Sequence, residues 1–319
     1  MTLQPETIGL RTSDTDTLGV TRSKLGKSGW TYSDSDGKTV SQSEGKRIDA
    51  LAIPPAWQDV WISPDPKGHI LAYGSDEKGR RQYIYHPEFR AAREAQKFSG
   101  LADFARGLPR LRKHIAMILD ASEDTEDLAI AAIIRLLDTT GLRIGHHRFR
   151  RRSGARGLTT LSEDNVSLEG DMVILKYTAK GGKDRKVSFN DEAVADVLRQ
   201  LQAEPGSDVF SGEDFSIRAR HVNAYIQNTL GEGFSAKDFR TWGGSVTAVE
   251  AMRKRDADTL KAVSEDAAEF LGNTPSIAKT SYIHPKILDI IRTGGDLPPP
   301  SGPTRLYANE RVCFAVVSE

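Results

Sequence analysis

The sequence predicts an α+β fold, with a small antiparallel β-rich N-terminal domain and a larger, mainly α-helical domain that contains a β-hairpin. Three observations predict it. Short β-prone runs separated by turn signals fill the region from Trp30 to about Arg90. Beyond it, apolar residues recur at helical spacing. One strand-turn-strand pattern, "MVILKYTAKGGKDRKVSFN", interrupts the helices.

Taken in order, residues 1–24 are polar and weakly patterned, which reads as a mobile tail. In the β-rich domain, residues 25–92, the runs "GWTYSD", "DVWISP", "HILAYG" and "RQYIYH" are divided by "SDGK", "PDPKG" and "SDEKG". Those dividers are turn chemistry, so an antiparallel sheet is expected. The helical domain, residues 93–296, opens with Leu111, Ile115, Ile118 and Leu119 on one face. Ile130, Ile133, Ile134 and Leu137 mark the next helix, which follows the acids of "SEDTED" and stops at "TTG". After the hairpin come helices marked by Val194, Val197, Leu198 and Leu201, by Val222, Ile226 and Leu230, and by the "SAKD" cap from Ser235 to Asp238. A helix carrying Leu260, Val263, Ala267 and Phe270 ends at Gly272, and Thr274-Pro275 starts a short one. Residues 297–319 read as the linker "GGDLPPPSGPTR" and a last β-prone run, "RVCFAVV".

Composition excludes several classes. The chain has 319 residues, 38% of them hydrophobic, enough to bury a sizeable core in two domains. No apolar stretch approaches the roughly 20 residues of a membrane helix, and the first residues lack the blocks of a signal peptide. Cys313 is the single cysteine, so neither a disulfide framework nor a thiolate zinc site is expected. A cytoplasmic protein follows. The formal net charge is zero, yet "LRIGHHRFRRRSGARG" carries six arginines and no acid, a short way after the acidic "DASEDTEDLA". Such a run is most often a solvated face; six arginines in sixteen residues favour an anionic partner.

The stretch "LGNTPSIAKTSYIHP" asks whether Tyr282 is a core aromatic or a reactive one. Phosphodiester attack by a phenol, whose pKa is about 10, requires loss of its proton on or before attack. Charge developing on the phosphate oxygens calls for guanidinium groups and a further donor, and the leaving oxygen needs an acid. Arg143 just past a helix end, Lys180 at the hairpin tip, Arg240 opening "KDFRTWGG", Asn273 after a helix cap and Tyr282 nine residues on would suffice. Singly, each has a plainer reading: a surface arginine, a solvated lysine, a cap, a packed ring. Their joint occurrence favours chemistry.

"GLRIG" followed by "GLTTL", "AKGGK", "KDFRTWG" and "LGNTPSIAKTSYIHP" resemble, in order, the catalytic domain of the poxvirus-like type IB DNA topoisomerases of bacteria. Upstream, "IDALAIPPAWQDVWISPDPKGHILAYGSDEKGRRQYIYHPEFR" is similar to their N-terminal domain. The resemblance implies a nucleophile in Tyr282 that keeps the 3′-phosphate. It also implies phosphate contacts from Arg143, Arg240 and Asn273, and a general acid in Lys180, with Lys183 close enough to leave that assignment open. Gln82, Tyr83 and Tyr85 match duplex-contacting positions of the family. His146, Arg148 and Phe149 fall in or near the segment it sets in the major groove. Ala179 replaces the usual glycine before the hairpin lysine, and His146-His147 also departs from the pattern.

What the resemblance implies overall is a monomeric clamp on duplex DNA, associated with the nucleoid, that needs neither ATP nor a metal. No Walker-type motif appears, and no carboxylate or cysteine cluster stands beside His284 or His146-His147. A tyrosine recombinase would share the chemistry but usually has a helical N-terminal domain. A non-catalytic DNA-binding protein would not need the five residues together.

Overall fold

A computed structural model describes residues 3–26, 29–201, 207–254 and 259–318. The chain divides into two compact units, Met1–Lys97 and Phe98–Glu319.

In the first unit, β1 (Thr21–Leu25) and β2 (Gly29–Ser33) form an antiparallel pair, followed by α1 (Gln42–Asp49). The Ser41 hydroxyl caps α1 by accepting the Glu44 N–H at 3.2 Å. A second sheet takes the order β3 (Gln58–Ile62), β4 (Ile70–Ser75), β5 (Arg81–Tyr85), all antiparallel. Val20, Tyr32, Ile48, Ile62 and Ala72 form its core. The N-terminal segment is not the expected tail, although residues 1 and 2 lie outside the described residues. Pro5–Ile8 form a 3-10 turn, Leu10 and Val20 are buried, and the Arg11 N–H donates to Lys67 O at 2.9 Å. The segment is anchored by bridges to residues far along the chain, Arg11 to Gly68 and Val20 to Ile62.

Helix α2 (Pro87–Ser99) crosses the division between the units. The second unit holds α3 (Leu101–Ala121), α4 (Thr125–Thr140) and the short basic α5 (His147–Ser153). The sheet β6 (Val166–Glu169), β7 (Met172–Ala179), β8 (Lys183–Asn190) follows, with Lys180 to Gly182 as the turn between β7 and β8. The chain continues through α6 (Glu192–Leu201), α7 (Ala219–Leu230), α8 (Ala236–Lys254), α9 (Leu260–Leu271), α10 (Pro275–Ser281), α11 (Pro285–Thr293) and α12 (Ala308–Ser318). Helix α4 is apolar almost all round, and Leu128 to Leu137 are buried apart from Arg135. A helix of that kind belongs at the centre of a bundle.

The terminal "RVCFAVV" is helical, correcting the expected strand: Val312, Cys313, Phe314, Ala315 and Val316 are buried in α12. β-branched residues are only weakly disfavoured in helices, so burial decides. A buried ion-pair network holds α12. Arg112 donates to both oxygens of Asp138 at 2.7 and 2.9 Å and to both oxygens of Glu310 at 2.8 and 2.6 Å. Glu310 also accepts the Trp242 indole N–H at 3.1 Å and the Tyr307 N–H at 2.9 Å. Burial pushes the Glu310 carboxyl up, but the bonds from Arg112 outweigh it and hold it below its ordinary value. Glu310→Ala leaves buried donors unpaired and is expected to destabilise the protein by on the order of 3 kcal/mol in urea unfolding. A loss below about 1 kcal/mol would mean that the network does not anchor α12.

Candidate active site

Helix ends build the site. Helix α4 stops at Gly141, whose φ of 59° suits a residue without a Cβ, and a Cβ there would also lie 2.5 Å from the Phe270 ring. Arg143 follows directly. Helix α9 stops at Gly272 (φ 61°), closed by bonds from the Gly272 N–H to Glu269 O at 3.2 Å and from the Asn273 N–H to Ala268 O at 2.9 Å. Asn273 is thereby presented next to a rigid helix terminus. Thr274 caps α10 and Pro275 takes its first position, so Tyr282 emerges at that helix's far end. Ser235 and Asp238 bond each other at the start of α8, and Arg240 sits in its second turn.

Four of the five predicted catalytic residues meet. Arg143 Nη2 donates to Asn273 Oδ1 at 2.6 Å. The Arg240 guanidinium lies 5.0 Å from the Tyr282 ring centre, donates to Leu271 O at 3.0 Å, and also donates to Gly141 O. Arg240 is only 4% exposed and Tyr282 8%, so the phenol is both core aromatic and site residue. Burial pushes the Tyr282 phenol up, but the charges of Arg240 and Arg143 and their hydrogen bonding outweigh it and bring it down to about 8. Burial, with repulsion from Arg143, pulls Arg240 down to about 10. Two buried donors here, Arg240 Nε and Asn273 Nδ2, have no hydrogen-bond partner among the described residues. Unpaired buried donors are costly, and beside two arginines they suit an anion's oxygens.

Lys180 is not brought to this cluster. It is exposed on the hairpin turn, and its side chain makes no hydrogen bond or ion pair among the described residues; Lys183 is also exposed. Among the described residues no three His, Cys, Asp or Glu side chains form a group that could hold a metal ion.

The predicted duplex-contacting residues lie on two surfaces, one in each unit. On the β3–β4–β5 sheet, Tyr83 stacks on Tyr85 at 5.9 Å and lies 6.1 Å from Tyr73, which stacks on Trp61 at 5.3 Å. Tyr83 is 40% exposed, with the Arg81 guanidinium 3.8 Å above Tyr73. Gln82 is half-buried and donates to Asp76 at 3.0 Å. In the helical unit, Phe149 is 48% exposed on α5, with His146 edge-on at 5.8 Å and Arg148 at 5.4 Å. Asp208 secures α5 through an ion pair with Arg150, and its carboxylate also lies 3.5 Å from His147 Nε2, whose pKa burial holds below the ordinary imidazole value.

Sequence reasoning missed Ser245 and Arg185. The fully buried Ser245 hydroxyl donates to Tyr282 O at 3.1 Å and accepts the His284 N–H at 3.0 Å, holding the backbone on both sides of Ile283. Gly244 permits this approach, since a Cβ there would lie 3.1 Å from Tyr282 Cβ. "GGS" in mid-helix was the available signal: paired glycines weaken a helix unless something packs closely against them. Arg185 had no such signal; it reads as one more exposed strand cation.

A tyrosine, two arginines and an asparagine gathered at helix ends are groups that phosphodiester attack by a phenol calls for. Residues 86–289 match the family described as eukaryotic DNA topoisomerase I, catalytic core, and residues 29–76 match the bacterial DNA topoisomerase IB N-terminal domain. The chain belongs to the type IB DNA topoisomerase family. It is 28% identical over 287 residues to DNA topoisomerase 1B of Acanthamoeba polyphaga mimivirus, covering 83% of this chain and 85% of that one. It is 23% identical over 237 residues to DNA topoisomerase 1B of vaccinia virus (strain Copenhagen), covering 70% and 73%. A solved structure of the XerH site-specific recombinase, bound to palindromic difH substrate in a post-cleavage complex, superimposes with a TM-score of 0.39 at 15% identity, over 69% of this chain and 58% of that one. Among the described residues no helix is long and apolar enough to cross a membrane.

Proposed function

We propose that the protein relaxes supercoiled duplex DNA by cutting one strand at Tyr282, letting the free end rotate, and resealing it. The observation that carries this reading is a phenol lowered to about 8 beside two buried donors with no partner. In the cleavage step the Tyr282 Oη–P bond forms as the P–O5′ bond breaks. The phenol gives its proton to solvent, and the leaving oxygen takes one from Lys180 once the hairpin closes on DNA. Arg143, Arg240 and Asn273 hold the phosphate oxygens, their donors set before reaction by α4, α8 and α9. Asparagine exchanges no proton, so Asn273 acts only by hydrogen bonding. Resealing is the reverse, with the 5′-hydroxyl as nucleophile, Lys180 as base and the phenolate as leaving group.

The exchange conserves phosphodiester bonds, so neither ATP nor a metal is required. The protein acts as a monomer that closes around duplex DNA of the nucleoid in the cytoplasm. Tyr83, Tyr85 and Gln82 contact the duplex from the sheet, and His146, Arg148 and Phe149 from α5. Stacked tyrosines offer rigid apolar area, and the arginines of α5 offer phosphate neutralisation, so affinity falls steeply with salt. Purified protein is expected to relax a supercoiled plasmid in EDTA without nucleotide. A plasmid left supercoiled at every salt concentration that permits binding would overturn the reading, and joined recombinant products would point to a recombinase.

A further inference from the structure

Lys180 sits at a hairpin tip, whereas the phosphate-holding residues sit at helix ends, so something must set the hairpin against those ends. Strand β8 supplies a tie. Arg185, paired across the hairpin with Tyr177, reaches out of the sheet and donates to Glu269 O at 2.9 Å and Phe270 O at 2.6 Å. The next carbonyl, Leu271 O, is taken by Arg240 at 3.0 Å. Two arginines therefore occupy the last three carbonyls of α9, immediately before Asn273. Contact is close: a Cβ on Gly272 would lie 2.5 Å from Arg185 Nη1 and 2.8 Å from its Cζ.

Helix α9 is already closed by its own backbone at Gly272 and Asn273, so it does not need Arg185 in order to stop. What the guanidinium adds is a link to the hairpin. A cation at a helix C-terminus is also favoured by the dipole. Arg185 is half-buried, and its pKa is lowered by burial, with a contribution from the charge of Arg143, which places it beside the catalytic cluster. The link lies two residues past the start of β8, so the turn bearing Lys180 projects roughly 10 Å beyond it at strand spacing. A tie at that point governs where the tip can go.

We propose that Arg185 is a positioning residue that fixes the lysine hairpin to the end of α9 and so delivers Lys180 to the leaving oxygen. The proposal rests on the reading of Lys180 as the general acid.

The test compares single-turnover cleavage of two duplexes carrying a site first mapped on plasmid DNA. One has the normal 5′-oxygen at the scissile bond, the other a bridging 5′-sulfur. Sulfur leaves as a thiolate, because a thiol's pKa is about 8.5, and needs no proton from the enzyme. Arg185→Ala is expected to cleave the oxygen substrate about tenfold to hundredfold more slowly than wild type. On the sulfur substrate it should cleave within about threefold of wild type, because the step it serves is bypassed. Lys180→Ala should show a larger loss with the same rescue, and adding Arg185→Ala to it should cost nothing more on oxygen.

Arg185→Ala that is equally slow on both substrates, while Lys180→Ala is rescued, would overturn the role of Arg185 and leave that of Lys180 intact. Lys180→Ala that is not rescued by sulfur would overturn the general-acid reading itself. Arg185→Lys keeps the charge but cannot span two carbonyls; it supports the same comparison if the alanine variant does not fold.

Discussion

Tyr282→Phe is expected to abolish covalent capture of DNA while leaving the fold and noncovalent binding intact. The ring is packed in the core and lies beneath Arg240, and phenylalanine preserves that packing. Only Oη is lost. Without a nucleophile, cleavage should fall by at least about 10⁴-fold, to the floor of a single-turnover assay. Measurable covalent adduct formation by the variant would show that another side chain attacks.

The wild-type rate should carry the phenol's signature. Burial raises the pKa, Arg240 and Arg143 lower it further, and the outcome is about 8. The reactive phenolate gains population as pH rises, so the cleavage rate should climb with pH and level off near 8 rather than near the ordinary value of about 10. A rate independent of pH from about 6 to about 9 would mean that loss of the phenol's proton does not limit the step.

Arg240→Lys is the second large effect expected. A guanidinium here bonds Gly141 O and Leu271 O, keeps Nε unpaired for a phosphate oxygen and lowers the phenol's pKa. An ammonium on a flexible stem cannot serve all of these directions at once. Cleavage should drop by about 10²- to 10³-fold, and the pH at which the rate levels off should move upward toward that of a free phenol. The variant should also melt earlier, because a buried carbonyl left without its donor costs about 1–3 kcal/mol. Cleavage within about threefold of wild type would show that Arg240 is a structural cap and no more.

Much of the site was legible because its residues follow local punctuation. Gly141 and Gly272 end helices, Thr274-Pro275 begins one, and Gly181-Gly182 turns a hairpin; Arg143, Asn273, Tyr282 and Lys180 are read from their distance to these marks. The mobile-tail and strand readings went wrong at the two ends of the chain for one reason. Polar composition around Leu10 and Val20, and β-branched residues in "RVCFAVV", are weak preferences that a distant packing partner overrides.

By itself, the sequence determined the succession of a β-rich unit and a helical unit with its hairpin, the helix ends that carry the chemistry and the family motifs, since periodicity and capping depend on residues within a turn or two of one another. Only the tertiary structure decided that Arg143 bonds Asn273 across 130 residues, that Ser245 holds the backbone at Tyr282, that Arg185 reaches the end of α9 and that Glu310 anchors α12. Each of these contacts joins segments remote in sequence. A hydrogen bond of that kind leaves no local trace, because either partner alone would serve equally well as a solvated surface group.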